Sequence, residues 1–347
     1  MEVEFIIVGF GLAGMAFAET LEEHNRSFVV FEDASQTSSN VAGGVYNPVI
    51  LKRFTPVWNG TEQLGIALPF YRKLENRFQN TYDYKFDTYR IFKSVEEQNN
   101  WFTAADKPLL APYVDTKIVY DKHKGIVAES GYGRLKQTGR IDTKALLTDY
   151  KKELEKKELI RYESFAYEKL VLSDSKVVYK DISAKHVVFC EGYGLHKNPF
   201  FNHLPMNEAK GELLTIHAPD LNVDFLIKAA VFVLPLGNDL YKVGATFNWK
   251  DKTSLTTEEG KKELLEKLET FIKCPYTIVS QSAGIRPTVK DRRPLLGIHP
   301  NYKQLVLLNG LGTRGVMIAP TAARDLYKYL IEGIPLDKEV DIARYFV

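Results

Sequence analysis

Gly9, Gly11 and Gly14 stand in the spacing GxGxxG directly after the apolar run Phe5-Ile6-Ile7-Val8, and a second apolar run, Phe28-Val29-Val30-Phe31, ends on the acidic pair Glu32-Asp33. Glycines so placed let backbone N–H groups close on a pyrophosphate at a helix N-terminus, and a carboxylate at the end of the next strand accepts a ribose hydroxyl. A bare glycine turn in a strand–helix–strand unit would show the same three glycines. Glu32, eighteen residues beyond Gly14, is what favours a dinucleotide.

Three further stretches carry chemistry. Ser38-Ser39-Asn40-Val41-Ala42-Gly43-Gly44 and then Val45-Tyr46-Asn47-Pro48 combine hydroxyls for phosphate oxygens with a glycine pair that admits a flat ligand. Ala283-Gly284-Ile285-Arg286-Pro287-Thr288 fixes an arginine between an apolar run and a proline, and its planar fork suits a carboxylate. The competing reading of Arg286 is a structural pair with Asp291. Gly310-Leu311-Gly312-Thr313-Arg314-Gly315 opens the last helix. It reads either as a plain helix entry or as a dipole end, with Arg314, that stabilises an anionic ring. Only one glycine motif comes with its acid, so a second nucleotide site for a pyridine-nucleotide reductase has no candidate. A tightly held dinucleotide that does redox chemistry by itself is FAD.

The elements that must position these residues follow from periodicity. Helices are expected over 15–23, 64–79, 143–157 (with Asp142 as N-cap), 257–271 and 316–332. Strands are expected at 4–8, 28–31, 82–92, 161–167, 176–179, 186–190, 212–216, 230–235, 240–246 and 305–308. The lysines of 143–157 read as a solvated helix face.

The 347 residues, 45% of them hydrophobic, allow two domains. A net charge of +2 calls for no nucleic acid by itself. Two cysteines without close spacing, Cys190 and Cys274, suggest a reducing compartment, and the first strand starts too near Met1 for a leader peptide. A cytoplasmic protein without membrane association is expected, and Asn59-Gly60-Thr61 is then an accidental sequon. His186, His196, His203 and His217 lack metal-ligand spacing, so no metal is expected.

In order and spacing these motifs resemble the FAD-dependent amine oxidases related to D-amino-acid oxidase, glycine oxidase and sarcosine oxidase, over essentially the whole chain. Within that group SSNVAGGVYNP, KGELL, PLGNDLYKVGATFNW, DRRPLLG and GLGTRGVMIAP look most like the oxidase half of the bifunctional bacterial enzyme that builds the methylaminomethyl group on the wobble uridine of tRNA; the methyltransferase half has no counterpart here. The resemblance implies an α/β fold. A discontinuous Rossmann-like FAD domain of the glutathione-reductase kind would take residues 1–50, 135–205 and 280–347. A mixed-sheet α+β substrate domain would take 51–134 and 206–279.

It also implies oxidation of a primary or secondary amine bearing a carboxylate, with hydride passing from the alpha carbon to flavin N5. Oxygen or another acceptor would regenerate the flavin. The substrate would be a small amine or amino acid, with tRNA as the alternative. Arg286 and Tyr241 would hold the carboxylate, and Tyr46 and Asn47 would line the pocket near the flavin. FAD would meet Gly9, Gly11, Leu12, Ala13, Gly14, Glu32, Asp33, Ser38, Ser39, Asn40, Ala42, Gly43, Gly44 and Val45. Later in the chain it would meet Phe165, Cys190, Gly192, Arg286, Gly310, Gly312, Thr313, Arg314, Gly315 and Val316. Sarcosine oxidases tether flavin through a cysteine near the C-terminal motifs. None follows Cys274 here, so FAD should be non-covalent.

Overall fold

The computed structural model describes residues 1–120 and 123–346; residues 121, 122 and 347, which the expected domain ranges also cover, lie outside the described residues. The chain builds two large sheets. In the first, strands run in the order Leu170–Leu172, Val177–Tyr179, Ile182–Phe189, Glu2–Val8, Phe28–Phe31 and Ile160–Arg161. Tyr302–Asn309 pairs with Ile182–Phe189, and Leu295–His299 lies beyond it. The central neighbours Glu2–Val8, Phe28–Phe31, Ile182–Phe189 and Tyr302–Asn309 pair in parallel. Phe28–Phe31 is buried at every residue, as a strand covered on both faces must be.

Side-chain alternation divides this sheet's covering into two cores. Phe5, Ile7, Phe28 and Val30 meet the helices Leu12–Glu23, Gly60–Phe78, Thr143–Lys156 and Gly315–Tyr327. Ile6, Val8, Val29 and Phe31 meet Tyr179, Phe189, Phe201 and Leu307 on the other side. Asp142 caps its helix as expected, accepting the Ala145 N–H at 3.1 Å. The last helix ends at Tyr327 and relaxes into a wide π turn over Lys328–Glu332 rather than continuing as α-helix. The strand expected over 161–167 stops at Arg161. Phe165 leaves the ladder to stack on Tyr179, ring centroids 4.1 Å apart.

The second sheet runs in the order Thr277–Arg286, Ala209–His217, Leu240–Gly244, Phe232–Gly237, Leu226–Lys228, Asp83–Ile91, Tyr132–Ile141 and Val45–Tyr46, with Val114–Val119 on Tyr132–Ile141. This pairing moves the expected boundaries. Val45–Tyr46, Tyr132–Ile141 and Thr277–Arg286 were divided into or across the first unit, yet they hydrogen-bond within the second sheet. Gly60–Phe78 moves the other way. Its Leu64, Ala67, Tyr71 and Leu74 enter the first sheet's helical core, and the Tyr71 hydroxyl donates to the Val316 carbonyl at 2.8 Å. Among the described residues no helix is long and apolar enough to cross a membrane.

Candidate active site

Both sheets contribute to one cavity of about 870 Å³. Its first wall is backbone. Gly9 has φ +91°, and a Cβ there would sit 2.8 Å from the Cys190 carbonyl oxygen; a Cβ at Gly14 would sit 2.1 Å from the Gly9 carbonyl. Glycine is therefore required at both positions, once for the turn and once for helix-on-strand packing. The helix starting at Leu12 has Gly11 as N-cap and no side-chain cap, so its first N–H groups face the cavity with few partners. Glu32 already braces this loop. One carboxylate oxygen accepts the Phe10 N–H at 2.6 Å, while the other accepts Ala34 N–H at 3.1 Å and meets Lys151 Nζ at 3.2 Å. A carboxylate has about four lone-pair directions, so it keeps capacity for a ligand hydroxyl.

Ser38–Val41 forms a single helical turn beside this loop, and Ser39 Oγ accepts the Leu12 N–H at 3.2 Å. Gly44 has φ +65°, and a Cβ there would meet the Ile141 carbonyl at 1.9 Å. Lys242 holds this segment to the second sheet, its Nζ 3.2 Å from the Val41 carbonyl and 3.4 Å from that of Ala42. Burial lowers the Lys242 pKa.

Glu191 is an unforeseen member of the wall. Its carboxylate accepts the Tyr167 hydroxyl and, at 2.7 Å, the Asn198 amide. Burial nevertheless pushes its pKa up to about 7, against the lowering by those two donors, with Asp33 adding to the rise. Cys190 beside it is buried, and its thiol is pushed well above the ordinary value by burial and then by Glu191.

The second sheet supplies side chains. Arg286 lies over Gly211, where a Cβ would meet its guanidinium at 1.9 Å, and its Cζ is 4.1 Å from the Phe247 ring centroid. Among the described residues it donates to the carbonyls of Lys210, at 3.4 Å, and Thr246, at 3.2 Å. Among the described residues it has no carboxylate partner. Asp291, the competing partner, is taken by Arg344 at 3.1 Å and the Tyr345 hydroxyl at 2.6 Å. Burial lowers the Arg286 pKa to about 10, so it remains a cation at neutral pH with donors to spare. Fully buried Lys210 pairs with Asp251 at 2.5 Å, and Glu212 accepts from Thr257 and Gln281. That network anchors the loop carrying Phe247.

Twenty of the expected cofactor residues line this cavity, Asp33, Phe165, Gly312, Thr313, Gly315 and Val316 included, but with exceptions. Gly14 and Gly310 shape the backbone behind it; Asn40 is exposed. Arg314 lies outside the lining, its pKa lowered by burial and by neighbouring Arg292. Three expected substrate residues also fall away. Tyr241 sits one residue out of phase with the cavity face: it is 3% exposed in the opposite core, where its hydroxyl accepts the Val223 N–H at 3.1 Å. Tyr46 alternates with cavity-lining Val45 into the helical core and donates to Asp83 Oδ1 at 2.7 Å. Asn47 closes a turn, accepting the Val49 N–H at 2.7 Å. The aromatic rings that do line the second wall are Phe232 and Phe247, joined by Lys228, Glu263 and Lys267. A lysine ending the apolar stretch Phe225-Leu226-Ile227 was the available signal for Lys228.

The FAD dependent oxidoreductase family (DAO) matches residues 4–328. The chain belongs to this family. As an FAD-dependent oxidoreductase it is similar to glycine oxidase of Bacillus subtilis, 27% identical over 168 residues, which are 46% of this chain and 44% of that protein. It is also similar to the tRNA 5-methylaminomethyl-2-thiouridine biosynthesis bifunctional protein of Marinobacter nauticus, 22% identical across 92% of this chain and 54% of that one. The chain thus spans about half the length of these relatives. The crystal structure of glycine oxidase from Geobacillus kaustophilus shares the fold, with TM-score 0.81 at 17% identity, covering 99% of this chain and 98% of that one. The helix start whose N-cap Gly11 offers no side chain, the two obligatory glycines and the braced Glu32 fit the nucleotide portion of FAD, and Gly43 and Gly44 line the cavity beyond them.

Proposed function

We propose that this FAD-dependent oxidoreductase oxidises the C–N bond of a small carboxylate-bearing amine, glycine itself or an N-substituted glycine. The observation that carries the reading is Arg286, a desolvated cation in the cavity wall without an acidic partner. A guanidinium so placed recovers its lost hydration only from an incoming anion, and its planar fork selects a carboxylate. Bound FAD supplies the two-electron acceptor: the substrate gives up a hydride and a proton, its C–N bond becomes C=N, and water hydrolyses the imine. The protein's part is to hold the carboxylate on Arg286, with Phe247 stacked behind the guanidinium, and to keep the reacting carbon in a partly apolar pocket. A neutral amine can donate hydride without a side-chain base. FAD is held without a covalent link, in keeping with a Cys190 thiol that burial keeps protonated and unreactive.

Anaerobic mixing of the holoenzyme with glycine and N-alkylglycines should bleach the flavin absorbance, whereas the decarboxylated amines should not. No bleaching by any carboxylate-bearing amine overturns the reading. Peroxide formation in air then distinguishes oxygen from another electron acceptor, and acid precipitation should release the flavin.

A second reading, the oxidation of a carboxymethylaminomethyl-uridine in tRNA, draws on the likeness to the bifunctional protein and on a feature of the cavity mouth. Phe247 in the cavity wall is 57% exposed, Trp249, its ring centroid 6.5 Å away, is 51% exposed, and both are close in sequence to Lys250 and Lys252. Aromatic rings with lysines nearby are what an unstacked base and its phosphates would use. Binding of undermodified tRNA that weakens steeply with salt supports that reading. Flat salt dependence with turnover of free amino acids decides for the small molecule.

A further inference from the structure

Arg286 is not the only cation facing the cavity without an acid. Lys228 ends the strand Leu226–Lys228 and lines the same wall, and among the described residues its ammonium has no hydrogen-bond acceptor; its one described contact is the Phe232 ring, 5.8 Å from Nζ to centroid. Its cationic neighbours are accounted for. Arg90 is paired with Glu97 at 2.6 Å, and Lys267 with Glu263 at 2.5 Å.

The strand register shows how the two free cations are related. Lys228 is opposite Phe232, Phe232 opposite Gly244, and Gly244 opposite Leu213. Cross-strand partners share a face. Gly211, two residues before Leu213 and so on that same face, carries the Arg286 guanidinium. Lys228 and Arg286 therefore stand on one face of one sheet, with three inter-strand steps, about 14 Å of backbone, between Lys228 and the strand that bears Gly211. The floor between them is apolar: Phe232 and Leu213, both lining the cavity, approach each other over Gly244, where a Cβ would meet Leu213 Cδ2 at 2.4 Å and Phe232 Cζ at 2.9 Å.

We propose that Lys228 is a second anion subsite and a specificity-determining residue, so that the preferred substrate is a diacid: an N-substituted glycine whose own carboxylate binds Arg286 and whose substituent ends, a few methylenes away, in a second acidic group at Lys228. This rests on the amine-oxidation reading above. The methylenes lie over Phe232 and Leu213, and the terminal anion, carboxylate or phosphonate, restores to the ammonium the partner it lacks. The electrostatics agree. Burial, then Arg90, then Lys267 push the Lys228 pKa down to about 8, the state of a cation surrounded by cations and waiting for a counter-charge.

The test uses the holoenzyme and two readouts. In anaerobic flavin reduction, N-(carboxymethyl)-, N-(2-carboxyethyl)- and N-(3-carboxypropyl)glycine are compared with N-ethyl-, N-propyl- and N-butylglycine, and N-(phosphonomethyl)glycine distinguishes a phosphonate from a carboxylate terminus. Separately, binding of the non-reactive diacids succinate and glutarate, against butyrate, is read from the perturbation of the flavin absorbance, which requires no turnover. Wild type should prefer diacids in both. Lys228→Met should reduce the diacid-to-monoacid ratio of affinities about 10- to 100-fold, as expected for loss of one charge-assisted contact. Lys228→Arg should restore most of it, and Lys262→Met, which removes an exposed lysine from the neighbouring helix, should leave the ratio alone. FAD content and melting temperature confirm that each variant is folded. A wild type without diacid preference, or equal losses for diacids and monoacids in Lys228→Met, overturns the proposal. Diacid binding that depends on Lys228 without any flavin reduction keeps the subsite and rejects the oxidation chemistry instead.

Discussion

The two walls of the cavity solve opposite electrostatic problems. On the first sheet the polar groups are already satisfied: Glu32 is held by Phe10 N–H, Ala34 N–H and Lys151, and Glu191 by Tyr167 and Asn198. On the second, neither Arg286 nor Lys228 has an acid partner among the described residues, and the acid on that wall, Glu263, is paired with Lys267. A wall that is satisfied before its ligand arrives is rigid and binds through shape and backbone dipoles. A wall of desolvated cations is held at a cost in solvation that only an anion removes. The first suits a resident cofactor and the second a ligand that comes and goes.

The largest break in this comparison should come from Gly14→Ala. Its Cβ would lie 2.1 Å from the Gly9 carbonyl, a backbone atom that cannot swing aside. The expected cost is at or beyond the ~3 kcal/mol upper end for overpacking, read as a lowered melting temperature and protein purified without flavin. Gly65→Ala is the control, since nothing lies within 4 Å of that position on an exposed helix turn; there alanine should stabilise by up to ~1 kcal/mol. A yellow, normally stable Gly14→Ala protein would mean that the first wall is not preformed.

On the second wall, Arg286→Lys keeps the charge and loses the fork. About 1.5 to 3 kcal/mol of charged hydrogen bonding, roughly 10- to 150-fold in kcat/KM, should vanish for an N-alkylglycine. The decarboxylated amine should show no such further loss. Equal losses for both substrates would make Arg286 a residue that serves the flavin or the fold. A smaller effect, about 1 to 3 kcal/mol on FAD affinity, is expected for Glu32→Ala. Its size measures how much of the cofactor's grip comes from the acid rather than from the backbone, because Phe10 N–H and Lys151 lose a partner at the same time.

The same contrast explains what could be read from the sequence. The first wall is written in contiguous motifs whose meaning lies in the backbone, so Gly9 to Gly14, Glu32 and Ser38 to Val45 were legible together with the strands that carry them. The second wall is assembled from side chains on separate strands, where a shift of one residue reverses the face. That is how Tyr241 and Tyr46 went into cores while Val45, next to Tyr46, took a cavity position. Arg314 failed for a related reason. The loop containing it was identifiable, but the direction of one side chain in a tight 3₁₀ turn is set by tertiary packing. Gly60–Phe78 was legible as a helix and not as a member of the first sheet's core, since its amphipathic face says only that it must be covered.

The smallest and most conditional effect concerns Glu191, a carboxylate on the first wall that is hydrogen-bonded and still strained by burial. Its ordinary pKa of 4.5 rises to about 7 in the fold, first through burial, with a further push from Asp33 and opposing hydrogen bonds from Asn198 and Tyr167. Below pH 4.5 the carboxyl is protonated in folded and unfolded chains alike and contributes no pH dependence. Between 4.5 and 7 the unfolded chain releases the proton while the folded chain retains it, so this group makes stability fall as pH rises; above about 7 both are ionised and the penalty is constant. Glu191→Gln keeps the acceptor for one of the two donors and removes the charge. The wild type minus variant difference in unfolding free energy should therefore drift downward from pH 4.5 to 7 and flatten beyond, measured by denaturant titration of flavin-free protein. A difference that is level with pH would mean that Glu191 ionises normally and that the first wall carries no strain of its own.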